Sequence, residues 1–312
     1  MRSFLAIALV VVITFLHGVF SSQPASAEDN LERLTAQPGI VCVLDLPEGD
    51  AQQLIATTKA GAAKVYFQSN DADQVKAVRE AADKAGLLGT RVFAGLGSFK
   101  RIHLADNVAD GMVVAETAAG QVTDDELLRT MRPRATAFVG DRKLVKPVPK
   151  GIEDWSHPYH GADNNPNSND QLVRGDFQTQ FIATPKFSPM PQQTVVAGGR
   201  MYKAMGHIAH KANQNEMLNT LLCINAYNGT ILWKRPNPPG FMIHRNTMVA
   251  TEDALYMGDH ESCKIIDAVT GKVRDQITIP TGITDGPVWK WMAIDDGALY
   301  GLVGNLEIQV DT

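Results

Sequence analysis

The chain is poor in cysteine: three in 312 residues, no two adjacent, and none in a C-x-x-C-H haem motif. An odd count excludes a complete disulfide framework. Cys223 and Cys263 fall at similar places in two related segments, so a bridge between them in an oxidising space and two buried free thiols are both open. A basic tract is also missing. Lys and Arg number 29 against 34 Asp and Glu, a formal net charge of −5, and nucleic acid is therefore not an expected partner.

The N-terminus has what the rest lacks. Arg2 precedes an apolar run from Phe4 to Phe20, followed by Pro24-Ala25-Ser26-Ala27 with small residues at a peptidase site. This is the pattern of a secretory signal over residues 1–27, cleaved after Ala27, and it implies a periplasmic or secreted protein. An uncleaved signal anchor is the alternative and the one membrane contact expected, since about 17 apolar residues can just span a bilayer.

Residues 190–312 contain a recurring phrase. Arg200-Met201-Tyr202 leads to Cys223-Ile224-Asn225-Ala226-Tyr227-Asn228-Gly229-Thr230-Ile231-Leu232-Trp233; Ala254-Leu255-Tyr256 leads to Ile265-Ile266-Asp267-Ala268-Val269-Thr270-Gly271; a third copy opens at Ala298-Leu299-Tyr300. Gly229 and Gly271 lie 42 positions apart, and Tyr256 and Tyr300 lie 44 apart. That is the period of a four-stranded propeller blade. Alternating apolar residues give each run a buried face, and Asn228-Gly229 and Thr270-Gly271 read as two-residue hairpin turns.

The phrase resembles the pyrroloquinoline-quinone (PQQ)-like repeat of β-propellers, in which an outer-strand Trp docks between neighbouring blades. The resemblance gives that docking role to Trp233; the second copy has Arg274 or Asp275 at the matching place. About 42 residues per blade leaves room for three blades, whereas closed propellers carry roughly four to eight. The expectation is an incomplete all-β propeller of about three blades, its remaining blades supplied by a longer chain or an oligomer.

Residues 30–145 alternate strand-like and helix-like segments. Ile40–Leu44, Lys64–Phe67, Arg91–Phe93, Gly111–Ala115 and Thr136–Val139 read as strands; Asp50–Lys59 and Asp71–Ala85 read as helices; Thr123-Asp124-Asp125-Glu126 reads as a capping box. The alternation predicts an α/β doubly wound, Rossmann-like domain. Ala105–Val114 and Glu126–Pro133 are similar to the core of class I S-adenosylmethionine-dependent methyltransferases. The family's Gly-rich turn is replaced by Leu44-Asp45-Leu46-Pro47-Glu48-Gly49-Asp50, and its ribose-binding acid by Ser69 or Asn70, with Asp71 one place late. The expectation is a degenerate, non-catalytic domain without S-adenosylmethionine.

Residues 146–189 read as a linker and polar junction, opened by Lys146-Pro147-Val148-Pro149-Lys150-Gly151 and continued by Asp154–Asn167. With the later His-Ile-Ala-His segment, the arrangement resembles exported planctomycete proteins that join a transferase-like domain to such a propeller. Six of eight histidines fall between 157 and 260. The first repeat is 12 residues longer than the second between Tyr and Gly, an insertion carrying His207, His210, Lys211 and Asn213. Strand alternation places this loop on one rim with His244 and His260. The four imidazoles form a candidate site for a divalent transition metal, and Trp289 and Trp291 are either a stacking platform or wedges between blades.

Two functions follow. One is an exported binding or assembly module that takes a protein or small molecule on the propeller face. The other, implied by the repeat resemblance, is a periplasmic quinoprotein dehydrogenase oxidising an alcohol or sugar with PQQ and Ca²⁺; the family's adjacent cysteines have no counterpart here.

Overall fold

A computed structural model describes residues 26–47, 50–173, 175–176, 178–237 and 246–305. The proposed signal lies outside them except for Ser26 and Ala27. Ser26 caps helix α1 (Ala27–Thr35): its Oγ accepts from Asp29 N at 3.1 Å, and Asp29 returns a bond to Ser26 N at 3.0 Å. This helix is absent from the sequence expectation.

The α/β domain holds a six-stranded sheet ordered β3-β2-β1-β4-β5-β6. Its strands are β1 (Ile40–Leu44), β2 (Lys64–Ser69), β3 (Val92–Leu96), β4 (Ala109–Val114), β5 (Met131–Val139) and β6 (Arg142–Val145). The first five are parallel; β6 turns back antiparallel against β5. β1 is almost wholly apolar because both of its faces are covered. Val41 and Val43 pack with Val65, Phe67, Leu54 of α2 (Ala51–Ala60) and Val78 of α3 (Ala72–Lys84). The intervening Cys42 and Leu44 enter the opposite layer with Met112, Phe99 and Leu127. Asp50 and Asp71 cap α2 and α3, each accepting from backbone N–H groups of the first turn. After the one-turn α4 (Glu116–Ala119), α5 (Asp124–Thr130) receives half of the expected capping box. Thr123 Oγ1 accepts from Glu126 N, but Glu126 turns away to accept from Ile102 N at 2.6 Å and to pair with Arg129.

Residues 190–237 and 246–304 form several antiparallel sheets. β7 (Met190–Ala197), β8 (Arg200–Ile208), β9 (Thr220–Asn225) and β10 (Ile231–Pro236) make one four-stranded meander. β11 (Met248–Ala250), β12 (Ala254–Gly258), β13 (Cys263–Asp267) and β14 (Val273–Ile277) make a second, and β15 (Val288–Asp295) with β16 (Ala298–Gly304) makes a two-stranded hairpin. Among the described residues these sheets form no closed ring. The hairpin loops differ from the two-residue expectation. Asn225 N bonds to Thr230 O and Asp267 N to Lys272 O, which encloses four residues in each loop. Asn225 and Asp267 accept from the N–H two residues on, and Gly229 and Gly271 take φ of 72° and 69°. Glycine is required there for its left-handed backbone. The 12-residue insertion also differs from a loop: β8 continues through Ile208, and a 3-10 turn covers Ala212–Met217.

The two meanders share one apolar layer, with Val195, Tyr202 and Cys223 facing Leu255, Met257 and Ile266. Segment 146–189 is more than a linker. Val196 N donates to Trp155 O at 2.7 Å, Ala250 N to Ser156 O at 2.9 Å, and Ile294 N to His157 Nε2 at 3.0 Å. Three consecutive residues thus bond to β7, β11 and β15, the first strand of each sheet. His157 is 6% exposed, so a polar segment supplies buried partners for backbone groups that otherwise lack them. Among the described residues no helix is long and apolar enough to cross a membrane.

Candidate functional site

Open α/β sheets bind ligands beyond the carboxyl ends of their strands. Asp45, directly after β1, has φ 59° and is 3% exposed. Its Oδ1 accepts from Ser69 Oγ at 2.5 Å and its Oδ2 from Thr117 Oγ1 at 2.8 Å. Gln68 is buried; its amide donates to Ser98 O and Arg101 O, and its Oε1 accepts from His103 N. Asn70 donates to Gln121, and Asp71 is occupied as the cap of α3. The polar groups of this crevice therefore bond to one another, where a cofactor would need them turned outward.

The opposite, amino end of the sheet meets the meanders and leaves a cleft of about 620 Å³. Six cationic side chains line it: Arg33, Arg132, Arg134, Lys143, Arg200 and Arg274. Asp110, Glu252 and Asp253 are its acids, and Leu34, Phe138, Leu232 and Val269 give it an apolar wall. Asp110, at the start of β4, latches the two halves. It accepts from Ile40 N at 2.9 Å, Asn225 Nδ2 at 2.6 Å and Asn228 Nδ2 at 2.8 Å, and pairs with Arg132 Nε. Asn228 Nδ2 also donates to Val108 O, and Arg134 pairs with Glu252 at 3.0 Å.

Each paired cation has a visible neutraliser. Arg274, one position before the place where the first repeat has Trp233, binds Asp267 and Asp253. The Asp267 hydrogen bond raises its guanidinium pKa above the ordinary value, and bonds from Thr251 and Arg274 lower that of Asp253. Among the described residues no carboxylate pairs with Arg33, Lys143 or Arg200. Arg200 Nε is buried without a hydrogen-bond partner there, and its Nη1 reaches only Glu252 O at 3.4 Å. The sequence marks none of these cleft residues as a binding residue; Arg200 and Arg274 stand out in it only through the repeat phrase. Asn225 and Asn228 lie within the repeat phrase, but Asp110 meets them across more than a hundred positions, and no local pattern marks that meeting.

The expected rim residues differ in exposure. His207 and His210 are exposed and His260 is half-buried, while His244 lies outside the described residues. Among the described residues no three His, Cys, Asp or Glu side chains form a group that could hold a metal. Lys211 sits 5.1 Å above the Phe187 ring, and Asn213 is exposed. Trp289 is 3% exposed and wedged between Gly258 and Gly301, whose added Cβ atoms would meet it at 2.7 and 2.5 Å; Trp291 is half-buried. Trp233 of the first meander reaches the second, where Nε1 donates to Ala268 O at 3.0 Å and the ring covers Gly271. The three cysteines are free and buried; burial pushes Cys223 and Cys263 up to about 12.

No family model and no curated protein matches the chain. Solved structures similar to part of it include an S-adenosylmethionine-dependent methyltransferase from Aquifex aeolicus, at 23% identity over 36% of this chain and 61% of that one, with TM-score 0.29. Geranyl diphosphate C-methyltransferase from Streptomyces coelicolor A3(2) shows 11% identity over 35% and 42%, with TM-score 0.30. The [4+2]-cyclase SpnF shows 16% over 35% and 42%, with TM-score 0.31. The chain spans about half the length of these structures. Likeness of this degree carries no argument about activity, and the α/β assignment rests on the strand order above.

Proposed function

We propose that the protein is an exported binding and assembly module, in which a non-catalytic α/β domain is latched onto the first blades of a β-propeller. The observation that carries the non-catalytic reading is Asp45, with both carboxylate oxygens taken by Ser69 and Thr117 in the crevice where a doubly wound fold would hold its cofactor. The blade reading is supported by two four-stranded meanders about 42 residues apart, each first strand lying beside the next, and by Trp233 bridging them. Further blades, from a longer chain or from other copies, would complete the ring. Binding, rather than turnover, then falls to loops and clefts held by a rigid frame.

Equilibrium dialysis of the full chain against labelled S-adenosylmethionine tests the reading, with no saturable binding expected. Saturable binding with methyl transfer to any acceptor would overturn it. Export is part of the proposal. Cleavage after Ala27 would remove the Ser26 cap from α1, at a cost of about 1 kcal/mol, and N-terminal sequencing of the exported protein should begin at Glu28.

A further inference from the structure

The cleft between the α/β domain and the two meanders combines three features that point to one kind of ligand. Its acids are already committed: Asp110 to Arg132, Glu252 to Arg134, and Asp253 to Arg274. Arg33, Lys143 and Arg200 are left without a carboxylate among the described residues, in a chain whose net charge is −5. Arg200 is the informative member. A guanidinium stays charged at every accessible pH, and a buried donor without an acceptor is costly, yet Arg200 Nε is buried and unpartnered. The third feature is the wall of Leu34, Phe138, Leu232 and Val269, which would rest against carbon rather than water.

We propose that this cleft binds a small organic anion of multiple charge, a phosphate monoester or polycarboxylate, with an aliphatic or aromatic body. The anionic head sits at Arg200, whose planar fork suits phosphate or carboxylate oxygens. Arg33 and Lys143, exposed at the margin, neutralise the remaining charge, and the body lies on the apolar wall. A volume of about 620 Å³ suits a small molecule. The assignment rests on the binding-module reading, because the cleft exists only where the two halves are held together.

Calorimetric titration of the full chain at low salt, with phenyl phosphate and with inorganic phosphate as probes, tests it. One saturable site is expected for phenyl phosphate, bound roughly tenfold more tightly than inorganic phosphate because only the ester carries a ring for the apolar wall. Arg200→Ala should weaken phenyl phosphate by about tenfold or more, as expected for a lost charge-assisted contact. Absence of saturable binding, or an unchanged affinity in folded Arg200→Ala, would overturn the site; equal affinity for the two probes would overturn the assigned apolar body. If Arg200→Ala does not fold, the surface pair Arg33→Gln and Lys143→Gln decides, with clear weakening for the proposal and no change against it. S-adenosylmethionine binding with phenyl phosphate affinity intact would sink the non-catalytic reading alone and leave this site standing.

Discussion

Substituting Asp110 should separate the two halves of the molecule without unfolding either one first. Its side chain is 14% exposed and holds four donors, two of them from the meander loop: Asn225, itself 2% exposed, and Asn228. A hydrogen bond to a charged group contributes about 1.5–3 kcal/mol, and the loss of its acceptor leaves a buried donor unpaired. Two such cross-domain bonds are not additive, and water can enter the cleft beside them, so Asp110→Ala should cost the docking about 3 kcal/mol, or roughly a hundredfold in its equilibrium. A cleaner perturbation is Asn225→Asp. Asp267 at the matching repeat position makes the same turn with a carboxylate, so the loop is kept while a like charge is set against Asp110. All four tryptophans, at 155, 233, 289 and 291, belong to the junction and meanders, whereas helices α1–α5 all belong to the α/β domain. Denaturation followed by tryptophan fluorescence and by helical circular dichroism should coincide in the wild type and split in either variant. Coincident, unshifted transitions in Asn225→Asp would refute the latch.

Gly271→Ala should destabilise the meanders by about 1–3 kcal/mol, since φ of 69° disfavours a side chain and the new Cβ would come within 2.6 Å of the Trp233 ring; the urea midpoint measures it. His157 supplies a pH dependence. Burial is the main influence lowering its pKa below the ordinary 6.5, Asp163 and Asp295 oppose the shift, and its Nε2 must be unprotonated to accept from Ile294 N. The unfolded chain therefore takes up the proton first. Stability conferred above about pH 6.5 should decline as pH falls toward the lower folded value, and His157→Gln should flatten that part of the urea-midpoint profile. Thiol reagents should modify none of Cys42, Cys223 and Cys263 in the native protein and all three after denaturation, because each is buried and free; early labelling of any one would contradict its burial.

Much of the α/β domain is legible from local pattern. The β1 run, the caps at Asp50 and Asp71, and the alternation of strands with helices depend on residues within a few positions of one another. The helix over Ala27–Thr35 was hidden by its place next to a signal-like run, and β6 by its short, charged face. The capping box was half right because Glu126 had a better use, a distant backbone N–H and Arg129. Part of the histidine-bearing insertion is strand, because β8 runs on through Ile208.

The repeat phrase alone determined that each hairpin turn carries a glycine for a left-handed backbone, since that requirement is satisfied within the loop, whereas the four-residue length and the Asn225 and Asp267 caps came from the structure. Only the tertiary structure decided that Asn225 also meets Asp110 while Asp267 meets Arg274, that Trp155–His157 bonds to three sheets, and that two arginines and a lysine with no carboxylate partner among the described residues share a cleft. Local periodicity records which face of an element is buried. It carries no information about which distant group lies against that face, because that follows from packing two completed halves together.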